Sequence, residues 1–415
     1  MLSAVLKQLG PCLILTVIQF VAALPWLWAL DSRAFRQQVR TVAGWGRFLG
    51  ALAGVTFLMS FFLAYQRGAT MLELYGRFYG SLLHLQLVVD FFVIAFLLVL
   101  LVWPKGGAVA LAAFREGVRQ PMFWLIGGAA LMLLTVAMVI PYFTFGDDYK
   151  MMKQIGFDVA MLLPALFGVL AASMSINEEI EGRTAITLMS KPVTRRQFLL
   201  GKYLGILLAS LLLSLLIGWW LNWTLHIQPY WNRLDDVIDP MPTQLSQILN
   251  DRILPTAKPL FGADTSMFVL GAVRWTGEAV ANNLGLLMCF GQVMVLLAIA
   301  ATLATRIPMA ANLILTLVVF FLGNLAPVLS RASDEWKSQH PNNPAVTIVN
   351  FLTKLLETFT PSLDVFNMGP AVIRDTAIDV GSFALYAGSV LIYAVIYTTI
   401  ALLFGLILFE DRDLA

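Results

Sequence analysis

Three groups of residues have types or spacing that could carry chemistry. The first is a lone carboxylate, Asp90, flanked by Val88, Val89, Phe91 and Phe92 inside an apolar run. A carboxylate at the centre of a membrane helix costs about 2.5–3.5 kcal/mol on insertion scales, so it must face protein or water. Two roles stand open for it, a proton-relay group and a structural contact, and the structural contact is favoured. The second group is the candidate metal ligands. The three histidines, His84, His226 and His340, stand far apart, and Cys12 and Cys289 lie in apolar segments without ligand spacing. Both cysteines read as small buried hydrophobes, and no metal is expected. Neither H-E-x-x-H nor a nucleophile beside its base occurs, so the pattern points away from an enzyme.

The third group is a polar segment, Ser175 to Gln197, which reads Ser-Ile-Asn-Glu-Glu-Ile-Glu-Gly-Arg-Thr-Ala-Ile-Thr-Leu-Met-Ser-Lys-Pro-Val-Thr-Arg-Arg-Gln. Glu178, Glu179 and Glu181 end one apolar run at the water interface, and Gly182 permits a sharp turn. Ala185, Ile186, Leu188 and Met189 form a short apolar helix edge, which Pro192 stops. Thr194 and Gln197 are spaced as a capping box that starts the next helix before Phe198-Leu199-Leu200. The expected product is a rigid elbow joining two helices, with an apolar ridge inside a charged rim. Such a ridge suits docking by a partner protein, because a few buried anchors in a polar surround give affinity and register. An ordinary capped loop is the competing reading of the same residues.

The elements that must position these groups follow from composition. Of 415 residues, 59% are hydrophobic and 13% are charged, and mean hydropathy is +0.80. A soluble domain carries about twice that charge, so a soluble enzyme and a disulfide-built secreted domain are excluded. The net charge of +2 gives no field for nucleic acid. Apolar runs of spanning length recur near 12–30, 48–65, 82–103, 122–144, 157–176, 204–225, 284–305, 309–330 and 382–408. The expected fold is all-α, a polytopic membrane helix bundle. Arg33, Arg36, Arg40 and Arg47, then Lys105, Arg115 and Arg119, then the loop 177–203 all fall on one side of an alternating path. The positive-inside rule makes that side cytoplasmic, with the C-terminus there and the N-terminus outside. The chain divides into an N-terminal membrane appendage of about three spans (1–105), an amphipathic connecting helix (106–121) and a six-span core (122–415). Leu111, Phe114 and Val118 give the connecting helix its apolar stripe. The core has long outer loops at 226–283 and 331–381. Within them Arg274 and Glu278, one helical turn apart, are expected to pair locally, and 344–360 carries an amphipathic helical stripe.

The order Glu-Glu-Ile-Glu-Gly-Arg-Thr, short helix, Lys-Pro-Val-Thr-Arg-Arg-Gln-Phe-Leu-Leu-Gly-Lys resembles the permease subunits of ABC transporters of the type-2 exporter class. Glu178, Glu181, Gly182, Thr184, Pro192, Arg195, Gly201 and Lys202 occupy the places of that family's motif. The likeness covers roughly 108–415; the three N-terminal spans and the long outer loops depart from the simplest members. It implies a six-span permease core whose elbow docks a separate ABC ATPase subunit. Glu178, Glu181 and Arg183 would fix the elbow, and Ile186, Leu188 and Met189 would plug into the ATPase. It also implies a second permease copy or a related chain, and a multi-pass location in the cytoplasmic membrane of a bacterium. No cofactor is expected on this chain. It lacks G-x-x-x-x-G-K-[ST], so ATP and Mg would be handled by the partner ATPase. Two further readings remain: an ATPase-docked subunit doing mechanical or assembly work without transport, and an ion-coupled secondary transporter. The latter expects several charged groups near mid-bilayer.

Overall fold

The structure is a computed structural model that describes residues 2–66, 68–140, 148–181, 193–231, 247–368 and 380–410. These residues form twelve α-helices and no strand. In chain order they are α1 (Leu2–Leu30), α2 (Ser32–Arg40), α3 (Val42–Tyr65), α4 (Ala69–Val102), α5 (Pro104–Arg119) and α6 (Pro121–Val139). There follow α7 (Asp148–Glu181), α8 (Arg195–Trp231), α9 (Leu254–Leu303), α10 (Met309–Gln339), α11 (Pro344–Phe359) and α12 (Val380–Glu410). Nine of these, α1, α3, α4, α6 to α10 and α12, are long and apolar enough to cross a membrane, and the chain is a multi-pass membrane protein. Pro104, Pro121 and Pro344 open α5, α6 and α11 at a position whose N–H has no helical partner. In this way proline punctuates the bundle without breaking a span.

Several spans outrun the apolar stretches that announce them. Helix α10 has 31 residues, about 46 Å at 1.5 Å per residue, against a hydrocarbon core of about 30 Å. The segment 226–283, expected as an outer loop, holds the end of α8 and the first part of α9, which is interrupted at Gly262 by a φ of +75°. Helix α11 lies where a stripe was expected, but of Val346, Val349, Leu352, Leu356 and Phe359 only Val346 is buried. Its polar side makes the contact instead: Asn350 Nδ2 donates to Ser333 Oγ at 3.1 Å and to Asp334 Oδ1 at 2.7 Å.

The chain forms two compact units. One comprises Met1–Val99 and Ile238–Asn282, the other Leu100–Val237 and Asn283–Ala415. In the first unit α4 and the early part of α9 run parallel at very short range. A Cβ at Gly76 would collide with the carbonyl of Phe268, and one at Gly271 with that of Glu73. Gly76 and Gly80 have the small-xxx-small spacing that lets membrane helices approach to backbone contact. The approach brings four charges together. Arg77 is bidentate to Glu278, Nη1 to Oε2 at 2.7 Å and Nη2 to Oε1 at 3.0 Å, with both side chains about 5% exposed or less. Arg274 Nη1 pairs with Glu73 Oε1 at 2.6 Å. The local Arg274–Glu278 pair expected from sequence is therefore replaced by two pairs between helices. A buried guanidinium must find a carboxylate within its own shielded surroundings, and Glu278 is the group that reaches it.

The second unit has a single large core. Helix α7 and the later part of α9 are the most enclosed spans. Val293, Val295, Leu297, Ala298, Ala300 and Ala301 of α9 are all fully buried, so that stretch is apolar all round. The outward apolar faces of α6, α10 and α12 remain exposed, as lipid-facing spans require.

Removing one member of the buried pair should cost about 3–5 kcal/mol, because it strands a charge in a low dielectric. Arg77→Met alone is expected to lower the thermal unfolding midpoint in detergent. The double variant Arg77→Met with Glu278→Met should recover most of the loss, and a double variant as unstable as the single one would contradict this assignment.

Candidate functional site

The second unit gathers polar side chains where α5, α7, α8 and α12 end together. At its centre is Lys202, on the second turn of α8 and 4% exposed. An ammonium has three donors and no acceptor, and each donor here finds an oxygen. Lys202 Nζ lies 2.5 Å from Glu179 Oε1 on α7, 2.7 Å from Ser175 Oγ on α7 and 3.1 Å from Glu116 Oε2 on α5. Ser175 Oγ closes the cluster, lying 3.3 Å from Glu116 Oε1. One cation thus ties the connecting helix to both stems of the elbow.

Small residues make this possible. Gly201 and Gly205 straddle Lys202, and a Cβ at Gly205 would strike the carbonyl of Ala110. The face that α5 buries is Gly106, Gly107, Ala110, Ala113 and Gly117. Leu111, Phe114 and Val118, the apolar stripe expected of a helix at the membrane surface, are half-buried. Backbone contact, not side-chain bulk, sets the α5–α8 distance.

The start of α8 is fixed by the capping box expected from the sequence. Gln197 N donates to Thr194 Oγ1 at 3.2 Å and Thr194 N donates to Gln197 Oε1 at 3.1 Å. Arg195 then reaches the end of α12. Its Nη1 donates to the carbonyls of Phe409 at 2.8 Å and Glu410 at 2.7 Å, and its guanidinium carbon sits 5.7 Å from the Phe409 ring centroid. Arg306 Nε donates to the carbonyl of Leu408 at 2.7 Å. Two cations therefore satisfy carbonyls that a helix C-terminus leaves without intrahelical partners, and both favour the negative end of its dipole. Asn177 Nδ2, on α7, holds the carbonyl of Ile307 at 3.1 Å, which fixes the short α9–α10 turn. The surface pair Arg196–Glu410, at 3.7 Å with both partners about 70% exposed, adds little.

Of the residues singled out in the sequence, Glu178 is exposed near the end of α7, and Glu181 is the last residue of that helix. Gly182, Arg183, Thr184, Ile186, Leu188, Met189 and Pro192 lie outside the described residues. Asp90 belongs to the first unit, is 7% exposed, and its Oδ1 has no hydrogen-bond partner among the described residues. The roles of Glu116, Ser175, Asn177 and Arg306 were missed. The available signal was the charge itself: a lysine inside Leu-Leu-Gly-Lys-Tyr-Leu-Gly-Ile-Leu-Leu needs a carboxylate from a neighbouring helix.

The arrangement is a set of ion pairs and hydrogen bonds among helix ends, and among the described residues no group of three or more His, Cys, Asp and Glu could hold a metal. What it provides is mechanical: two helix stems held rigidly on either side of a segment that joins them. No curated protein matches the chain. Residues 142–414 match the model of a protein family described as ABC-2 family transporter protein.

Lys202→Met should leave Glu179 and Glu116 without their shared cation, at a cost of about 1–3 kcal/mol since neither carboxylate is fully enclosed. The expected readout is faster hydrogen exchange in residues 170–181 and 195–205, with the spans of the first unit unchanged. Unaltered exchange at both stems would show that the cluster does not hold them.

Proposed function

Because the chain belongs to the ABC-2 family of transporter proteins, we propose that it is the permease of an ATP-driven export complex and receives its power stroke at residues 182–192. A separate ATPase subunit binds ATP and Mg and docks on the ridge formed by Ile186, Leu188 and Met189. Glu178, Glu181 and Arg183 hold the ridge at the ends of α7 and α8. The observation that carries this reading is the fixing of both stems. With Lys202 joined to Glu116, Ser175 and Glu179, and Arg195 joined to α12, a push on the joining segment moves helices instead of bending a loop.

The same reading places the elbow, the basic loops and the C-terminus in the cytoplasm of a bacterium, with the chain in its inner membrane. A second permease copy, identical or related, completes the pathway. An apolar cleft of about 240 Å³ between α7, α9 and α10, lined by Leu162, Leu166, Leu296, Thr316, Leu317 and Phe320, is the stretch assigned to that pathway. The appendage at 1–105 stands outside the family match, and a transport-independent role for it is compatible with the coupling proposed for the core.

Deletion of 184–190 should abolish both co-purification of an ATPase subunit and stimulation of its ATP hydrolysis, while the chain still inserts into the membrane. Arg195→Glu places a carboxylate against the carbonyl end of α12. It should retain the ATPase subunit yet lose most of the stimulation. Full transport by the deletion variant would refute the proposal.

A further inference from the structure

The hairpin formed by α1, α2 and α3 carries a feature that the coupling reading leaves unused. Helix α2 joins the ends of two spans and therefore lies at a membrane surface. Asp31, Ala34, Phe35, Gln38 and Val39 recur at helical spacing on one side of it and line a groove against α1 and α3. The groove holds about 370 Å³, and Leu24, Leu27, Phe35, Val39, Trp45 and Phe48 form its apolar wall. Asp31 is the one charged residue in the lining, and its Oδ1 is occupied in capping α2 through Arg33 N and Ala34 N.

The corner is rigid. Trp45 Nε1 donates to the carbonyl of Val39 at 2.9 Å, Thr41 Oγ1 accepts from Gly44 N at 3.1 Å, and a Cβ at Gly44 would collide with the carbonyl of Gln38. The Trp45 ring also packs edge-on against Phe48 at 5.9 Å. A groove with walls this fixed is open before any ligand arrives.

Cations lie outside its lining. Arg33, Arg36 and Arg40 fall on the side of α2 opposite the groove, towards the headgroup layer, and all three are exposed. Arg47, also exposed, lies between Trp45 and Phe48 in the sequence of α3, about 7.5 Å along the helix from its start and outside the groove's lining. None of the four makes an ion pair among the described residues. Three guanidiniums on the far side of α2 and a fourth on α3, all outside the lining of the apolar slot, match a molecule that is apolar at one end and anionic at the other. Basic pockets between membrane helices bind anionic lipid headgroups by this combination, and a guanidinium meets phosphate with paired donors.

We propose that the α1–α3 hairpin is a binding site for an anionic phospholipid drawn from the leaflet against which α2 lies. An acyl chain fills the groove, Arg47 holds the phosphate, and the arginines of α2 supply the attracting field. The site is independent of the elbow at 182–192, so neither proposal falls with the other.

The test is native mass spectrometry of the full chain in detergent, titrated with dioleoylphosphatidylglycerol or dioleoylphosphatidylcholine. The wild-type chain should retain the anionic lipid at least about fivefold more tightly, in line with one well-placed arginine near a membrane phosphate. Arg47→Gln should remove most of that preference, and the triple change of Arg33, Arg36 and Arg40 to Gln should reduce it further. Ala34→Trp, which fills the groove, should weaken retention of both lipids. Equal retention of the two lipids by the wild-type chain would overturn the proposal. So would an equal loss of preference in Arg252→Gln, an exposed arginine outside the hairpin, because that result would reduce the effect to net charge.

Discussion

The ammonium of Lys202 is enclosed by α5, α7 and α8, and in a bilayer-embedded bundle such a charge survives only if carboxylates and hydroxyls come to it. That requirement decides how the helices meet. Glu116 must arrive on a helix lying close to α8, so α5 presents glycine and alanine there and Gly205 accepts its backbone. Glu179 must reach inwards, so α7 keeps its helical form to the end of its acidic stretch. Once these contacts form, the elbow has two fixed stems. The ends of α12 and the α9–α10 turn are then tied into the same end of the unit by Arg195, Arg306 and Asn177.

The first unit solves a similar problem with similar residues. Gly76-Arg77-Phe78-Tyr79-Gly80 and Gly201-Lys202-Tyr203-Leu204-Gly205 share one pattern: two glycines four apart, with a cation directly after the first. In each case the glycines bring a second helix to backbone range, and the cation is buried against a carboxylate that this approach delivers. Apolar side chains give little preference for protein over lipid tails, whereas a charge that must be neutralised specifies one partner and one register. The pattern therefore supplies specificity where the hydrophobic effect supplies none.

This division explains what the sequence made legible. The nine spans, the capping box at Thr194 and the family likeness are local properties, written in runs of a few to twenty residues; the structure bears out the first two and the family match the third. Partners of buried charges are not local. Arg77 and Glu278 are 201 residues apart, and the nearer expectation, Arg274 with Glu278, fails because the buried Arg77 guanidinium takes the Glu278 carboxylate and Arg274 turns to Glu73. The contact between α5 and α8 was not legible for a related reason. Leu111, Phe114 and Val118 are the larger side chains, but membrane helices meet through their smallest ones. The positions expected to form the apolar ridge lie outside the described residues, so their assignment rests on the likeness and on the stems that flank them.

The most direct test of the account is photocrosslinking from position 186, with the full chain expressed in its native host and the adducts identified by mass spectrometry. The account predicts one dominant protein adduct, an ATPase subunit carrying a phosphate-binding loop. A correctly inserted chain whose position 186 crosslinks only to lipid, or to its own core, would contradict the central claim that this segment receives the ATPase stroke.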